Sequence, residues 1–292
     1  MLVSVITPSL NQGKFIGDTI ESVRRQRHPQ VEHIVVDGGS TDSTIDVLKR
    51  SSHYPHLWWI SEPDGGQADA VNKGLALAHG DVIGWLNSDD VYFDRQSISI
   101  AVRTFAENPK IDVVYGDIAR ISHDNRLLRI EVVPDFSYPR LLQGCFIKQP
   151  AVFMRRIAVN GLKLDTALEC AMDYELWLRL GQHHRFLHVR RILAADRTHA
   201  NRKMVVDYER MVRETEELRR RFGAGSTLPR SMMLWRLVMS AIPRRLIGLY
   251  RLTLLEHAEE WAFEVKRGNR FLELKRQLFM TSDKGERAMT HR

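Results

Sequence analysis

Two cysteines in 292 residues, Cys145 and Cys170, are too few to staple a fold, and neither stands in a Cys-x-x-Cys or Cys/His metal pattern. A disulfide scaffold and a zinc module are excluded, and the thiols fit a reducing cytoplasm. No run approaches the roughly 18 uninterrupted apolar residues of a membrane-spanning helix. The start, Met-Leu-Val-Ser-Val-Ile-Thr-Pro, lacks the basic and long apolar regions of a secretory leader, and Pro8 and Asn11 interrupt it; it reads as a first strand. A glycine-rich phosphate loop is missing after that strand, where Thr7-Pro8-Ser9-Leu10-Asn11 stands instead. That absence argues against a Rossmann dehydrogenase and against nucleotidyl transfer. No internal repeat or low-complexity segment is present, and no nucleic-acid motif accompanies the basic residues.

What is present is an ordinary globular composition, 43% hydrophobic and 27% charged, with an uneven charge. From Pro229 onward 13 Lys/Arg face 7 Asp/Glu, so the tail carries nearly all of the net +7. Arg230, Arg236, Arg244, Arg245 and Arg251 interleave there with Trp235, Leu237, Ile242, Leu246 and Tyr250. Such a segment lies on an anionic membrane surface, or else forms a helical pair with a solvated arginine face. The first alternative makes the protein peripheral on the inner face of the plasma membrane.

The first 120 residues alternate β-rich runs with helical patterns, as βαβ units do. Strands are expected near Leu2–Thr7, His33–Asp37, Leu57–Ser61, Asp81–Leu86 and Val113–Tyr115. Phe15, Ile16, Ile20 and Val23 recur at helical spacing, as do Ala68, Val71, Leu75 and Ala78. Beyond residue 117 the pattern becomes α+β: strands at Ile118–Ile121 and Leu127–Val133, a helix at Asp173–Gln182, a strand at Phe186–Ala195 and a charged helix at 202–222. The expected class is α/β, a mostly parallel central sheet flanked by helices. Residues 1–222 form one domain with halves at 1–116 and 117–222, and 223–292 are a basic helical extension.

Chemistry collects where strands end. The apolar strand at 81–86 runs into Asn87-Ser88-Asp89-Asp90, and a sheet that buries its apolar residues holds those acids at its carboxyl edge. Hard oxygen ligands there suit Mg²⁺ or Mn²⁺ with a phosphorylated substrate. Thr7-Pro8-Ser9-Leu10-Asn11 and Asp37-Gly38-Gly39-Ser40-Thr41-Asp42 end two further strands on the same edge. Asp37 can accept the imide N–H of a uracil, or simply initiate the turn. Asp64-Gly65-Gly66 leads into a helix whose polar face carries Asp69, Asn72 and Lys73, either contacts for a nucleotide sugar or a capped surface helix.

These motifs, in order and at fitting spacing, resemble family 2 glycosyltransferases of the bacterial surface-polysaccharide type: Thr-Pro-Ser-x-Asn, Val36 to Asp42, Asp69 to Gly74 and Leu86 to Asp90. The resemblance spans about residues 2–200. It implies a GT-A fold (Rossmann-like) and an inverting transfer of sugar from a nucleotide donor, a UDP-sugar among the candidates, to a glycan or lipid-linked glycan. It implies Asp89 as the ligand of a divalent cation, with Asn87 standing where the family usually has an acid, and Asn87 and Ser88 toward the donor. Asp173, preceded by Met172 where the family has Glu, matches the base that takes the acceptor proton, or else only caps its helix. His199, in Arg197-Thr198-His199, matches the family's closing segment and joins the metal site, or lies in a surface loop. Gln149 walls the acceptor pocket. A membrane-bound binding subunit with an inactive transferase domain is the non-enzymatic alternative.

Overall fold

The computed structural model describes residues 1–200, 202 and 206–224. Four strands form the first half of the sheet: β1 (Val3–Ser9), β2 (Val31–Asp37), β3 (Leu57–Ser61) and β4 (Val82–Trp85), in the order β3-β2-β1-β4 and all parallel. Both faces of β1 are buried: Val3 and Val5 point into one apolar cluster and Ile6 into another. That is why its sequence reads as a continuous apolar run. Helices α1 (Ile16–Arg24), α2 (Thr44–Ser51) and α3 (Gln67–Leu77) are the crossovers. Helix α1 buries Ile16, Ile20 and Val23, the residues expected from its periodicity. Helix α3 approaches β1 so closely that a Cβ on Gly74 would fall 2.3 Å from the Ile6 side chain, so only glycine fits.

After the short β5 (Val91–Tyr92) and α4 (Ser97–Glu107), the second half departs from the expected order. The runs at Val113–Tyr115 and Ile118–Ile121 are one strand, β6 (Val113–Ser122), with register shifts between Gly116 and Ile118. It does not pair with β4. Between them lies β8 (Val152–Arg155), antiparallel to both. Four residues after Pro150 carry too weak a strand signal to be read from sequence, but Val152, Phe153 and Met154 are all buried. Hairpin partner β7 (Leu127–Glu131) is antiparallel to β6, β9 (Phe186–Thr198) is parallel to β6, and β5 is antiparallel to β9. The sheet is therefore parallel on its first side and mixed on its second.

Short helices α5 (Tyr138–Leu141) and α6 (Arg156–Val159) precede α7 (Met172–His183) and α8 (Tyr208–Arg221). Within the charged helix expected from Arg202, residues Tyr208–Arg221 are described as α-helix, and 203–205 lie outside the described residues. Among the described residues no helix is long and apolar enough to cross a membrane. The extension from residue 225 lies outside the described residues.

Candidate active site

Because β1, β2 and β4 are parallel and adjacent, their carboxyl ends share one edge, as expected. The loops above them are tied together. Asn11, in the left-handed region at φ 52°, accepts a hydrogen bond from the Thr41 N–H at 2.9 Å and donates its own N–H to Ser40 Oγ at 2.7 Å. Asp42 accepts from the Gly13 N–H at 3.0 Å and from the Thr44 N–H at 2.9 Å, which closes the turn into α2.

Several residues expected to contact a donor directly are spent on the fold. Asp37 has no exposed surface, and its carboxylate accepts from the Gly39 and Ser40 N–H groups and from the Ser40 and Ser61 hydroxyls. Three of these bonds fall on Oδ2 and one on Oδ1, as the turn-forming alternative expects. Thr7 is likewise fully buried, its hydroxyl bonded to His33 Nε2 at 2.9 Å, and Pro8 is buried within β1. Burial pushes the His33 imidazole down to about 3, so it stays neutral. Asn72 turns away from Lys73 and clasps Leu164, donating to its C=O at 3.0 Å and accepting its N–H at 2.7 Å.

The rim is formed by other groups. Ser9, at the last position of β1, is nearly buried and its hydroxyl lacks a partner. Asp64 accepts the Gly66 N–H at 2.9 Å and lies against Gly38, where a Cβ would come within 2.8 Å of its carboxylate. The Asp69 carboxyl is held below its usual range by the Gly65 N–H at 3.0 Å and then by Lys73 at 3.5 Å. Lys73 also pairs with Glu62 at 2.9 Å.

Burial alternates through the acid segment: Asn87 and Asp89 are half-buried, Ser88 and Asp90 buried. Ser88 therefore does not face the cleft as expected. Asn87 is a hydrogen-bond hub: its Oδ1 accepts from Gln67 Nε2 at 2.8 Å and Trp85 Nε1 at 3.0 Å, and its Nδ2 donates to Gln149 Oε1 at 2.9 Å. The Gln149 amide N–H donates in turn to the Trp85 carbonyl. Gln149, expected to wall the acceptor pocket, is buried and bridges Asn87 to the Trp85 carbonyl.

Asp89 Oδ2 accepts a hydrogen bond from His199 Nε2 at 2.9 Å, so two residues 110 positions apart form one pair. Cis ligands on an octahedral ion with bonds of about 2.1 Å are about 3 Å apart, so the pair fits two positions of one cation. An imidazole with a carboxylate suits Mn²⁺ better than Mg²⁺. Among the described residues no three His, Cys, Asp or Glu side chains are grouped to enclose a metal by themselves. The remaining positions would fall to ligand oxygens and water.

Behind this pair lie groups the sequence reading passed over. Asp196 pairs with Arg202 at 2.6 Å and with Arg120 at 3.1 Å. Burial, then the charges of Asp89 and Asp196, hold Asp90 well above the usual carboxylate range. The signal for Asp196 and Arg197 was available: like Asp89 and Asp90, they are charges ending an apolar strand.

Asp173 sits in the first turn of α7, with Ala171 as the N-cap residue. Burial raises its pKa to about 6, opposed by the Tyr174 N–H at 2.7 Å and more weakly by Lys148 and Arg202. Arg202 contacts Asp196 directly at 2.6 Å, and its charge reaches Asp173 only weakly. The segment leading into α7 is pinned from α8, where the Glu214 carboxylate accepts N–H groups of Glu169, Cys170 and Ala171 at 2.9–3.0 Å.

Chondroitin synthase of Pasteurella multocida is 28% identical over 193 residues, covering 65% of this chain and 20% of that protein. The hyaluronan synthase of the same organism gives the same figures. An uncharacterized glycosyltransferase of Mycobacterium tuberculosis is 38% identical over 115 residues, 39% of this chain and 44% of its own length. The chain thus spans a fifth to under half of these relatives. Among solved structures, Staphylococcus aureus TarS in complex with UDP-GlcNAc superposes with a TM-score of 0.62 at 20% identity, covering 80% of this chain and 69% of that one. A Pyrobaculum calidifontis mannosyltransferase in complex with GDP-Man and Mn²⁺ gives 0.54 at 18% identity, with 88% and 84% covered. This likeness shows the GT-A-like fold. The model of the family described as Glycosyl transferase family 2 matches residues 4–153, over half of the chain, and the protein is therefore an enzyme of the family 2 glycosyltransferases.

Proposed function

We propose that this enzyme transfers a sugar, with inversion, from a UDP-sugar to a hydroxyl of a growing glycan or lipid-linked glycan. The observation that carries this reading is the Asp89–His199 pair, 2.9 Å apart at the end of β4, accompanied by Asp173, a half-buried carboxylate whose pKa burial raises to about 6. In this reading Ser9, Asn11, Asp64, Asp69 and Lys73 line the donor, while Thr7, Pro8, Asp37, Asn72, Asn87, Ser88 and Gln149 set its shape from behind. The names of the chondroitin and hyaluronan synthases support a polysaccharide acceptor, and the UDP-GlcNAc complex of TarS supports a uridine donor.

Asp173 takes the proton of the acceptor hydroxyl as its oxygen attacks the anomeric carbon. The new C–O bond forms on the face opposite the diphosphate, and the electrons of the broken C–O bond leave with the nucleoside diphosphate. One displacement inverts the centre. Asp89 and His199 would hold a divalent cation, which would offset the charge gathering on the leaving group. Residues 1–222 would form the catalytic unit, and the basic stretch from 223 would hold it against an anionic membrane, on the cytoplasmic side where nucleotide sugars are available. The test is the anomeric configuration of the product made from an α-linked UDP-sugar, read by proton NMR: a β-linkage is expected, and an α-linkage overturns the single displacement.

A further inference from the structure

Arg197 is 1% exposed, and a buried cation is tolerated only where its donors are matched. Its Nε donates to the Asp89 carbonyl oxygen at 2.7 Å. One terminal nitrogen meets the Asp18 carboxylate of α1 at 3.1 Å. The other donates to Asn125 Oδ1 and lies 3.5 Å from the His123 carbonyl, both in the turn between β6 and β7, where Asn125 is left-handed at φ 65°. The Arg197 main-chain N–H donates to Asp90 at 3.0 Å. The guanidinium also lies 5.0 Å from the Phe15 ring centroid, and that ring packs 4.8 Å from the imidazole of His199.

One side chain thus touches the backbone of Asp89 directly and His199 through Phe15, and anchors both to α1 and the β6–β7 turn. We propose that Arg197, held by Asp18, is a positioning residue that sets the spacing of Asp89 and His199 for cation binding. The inference rests on reading those two residues as the cation site. A lysine cannot replace it. Its ammonium is a point charge, whereas the planar fork spans Asp89, Asp18 and Asn125 at once and stacks on Phe15. Groups that orient metal ligands typically change affinity by about 10–100-fold when removed.

The experiment is a Mn²⁺ titration of the full chain in the presence of UDP, followed by the electron paramagnetic resonance signal of free Mn²⁺. Arg197→Lys is expected to weaken Mn²⁺ binding about tenfold. Asp18→Asn, at a side chain 40% exposed, is expected to weaken it in the same direction with the fold retained, and carries the test alone if Arg197→Lys does not fold. Asp89→Ala should abolish the binding. If Asp89→Ala abolishes it while folded Arg197→Lys and Asp18→Asn bind as the parent does, the positioning role is overturned and the cation site stands. If Asp89→Ala binds Mn²⁺ as the parent does, the cation site itself is wrong and this inference falls with it.

Discussion

The two halves of the molecule build their share of the cleft in opposite ways. In the first, polar groups at the sheet edge find partners in their own loop or the neighbouring one: Asp37 in Gly39, Ser40 and Ser61, Asp42 in Thr44 and Gly13, Asn11 in Ser40 and Thr41, Asp64 in Gly66. In the second, partners come from far away. Arg197 meets Asp18 across 179 positions, His199 meets Asp89 across 110, and Glu214 reaches Cys170 across 44. A parallel sheet with short crossovers lets each loop close upon itself and the loop beside it, whereas the antiparallel β8 and the long β9 carry the chain back over loops made much earlier. The first half therefore supplies a preformed frame. The second supplies the distant partners of its acids, His199 for Asp89 and Arg197 for Asp18.

Three substitutions bear on this division, in falling order of effect. Asp89→Ala, which removes a frame residue and the partner of His199, should lower donor turnover on the order of 10³-fold, measured as UDP-sugar hydrolysis with Mn²⁺. Full hydrolysis in that variant would dissolve the link between the halves. Asp173→Asn should reduce transfer by about 10²–10⁴-fold while donor binding stays within about twofold. The parent's kcat/KM should correspondingly fall about tenfold per pH unit below about 6, as the base becomes protonated. The sign for stability is opposite. A carboxyl whose pKa is raised by folding stabilises fully below its unfolded value and loses that contribution as pH rises through about 6. Asp173→Asn should therefore raise stability at pH 7.5 by up to about 3 kcal/mol in denaturant unfolding. A variant less stable than the parent would show that Asp173 serves the fold instead.

Asn87→Asp is the mildest and the most discriminating. A carboxylate cannot donate to Gln149 Oε1, so either two oxygens face each other or Gln149 turns and abandons the Trp85 carbonyl. A loss of about 1–2 kcal/mol is expected, with Mn²⁺ dependence unchanged. Stronger Mn²⁺ binding in the variant would mean that position 87 belongs to the metal after all.

The pattern of local and distant partners also explains what could be read from the sequence. Strands β1 to β4, helices α1 and α3 and the shared edge were legible because apolar periodicity and strand-end polarity are local signals. Asp89, His199 and Asp173 were picked out through the family resemblance, although nothing in their spacing indicated that two of them touch. Misreadings arose wherever burial overrode residue type. Thr7, Asn72 and Gln149 are polar and stand at the right places for a ligand, yet each is consumed by a group whose proximity depends on tertiary packing: His33, Leu164 and Trp85. Strand β8 was missed because four residues carry too little pattern, and with it the insertion that separates β4 from β6. Arg202 and Arg197 meet their acids, Asp196, Asp18 and Asp90, only through tertiary packing.

The Glu214 carboxylate that grips residues 169–171 also fixes how short a working enzyme can be. The segment matched by the family ends at residue 153, and Asp173 lies 20 residues beyond it. The acid that seats its helix lies 41 further on. A truncation between His199 and α8 would leave the sheet intact and strip three backbone N–H groups of their acceptor, loosening the helix that carries the proposed base. With Asp173 as the proposed base, the smallest catalytic fragment would run through Glu214, well past the region by which the family is recognised.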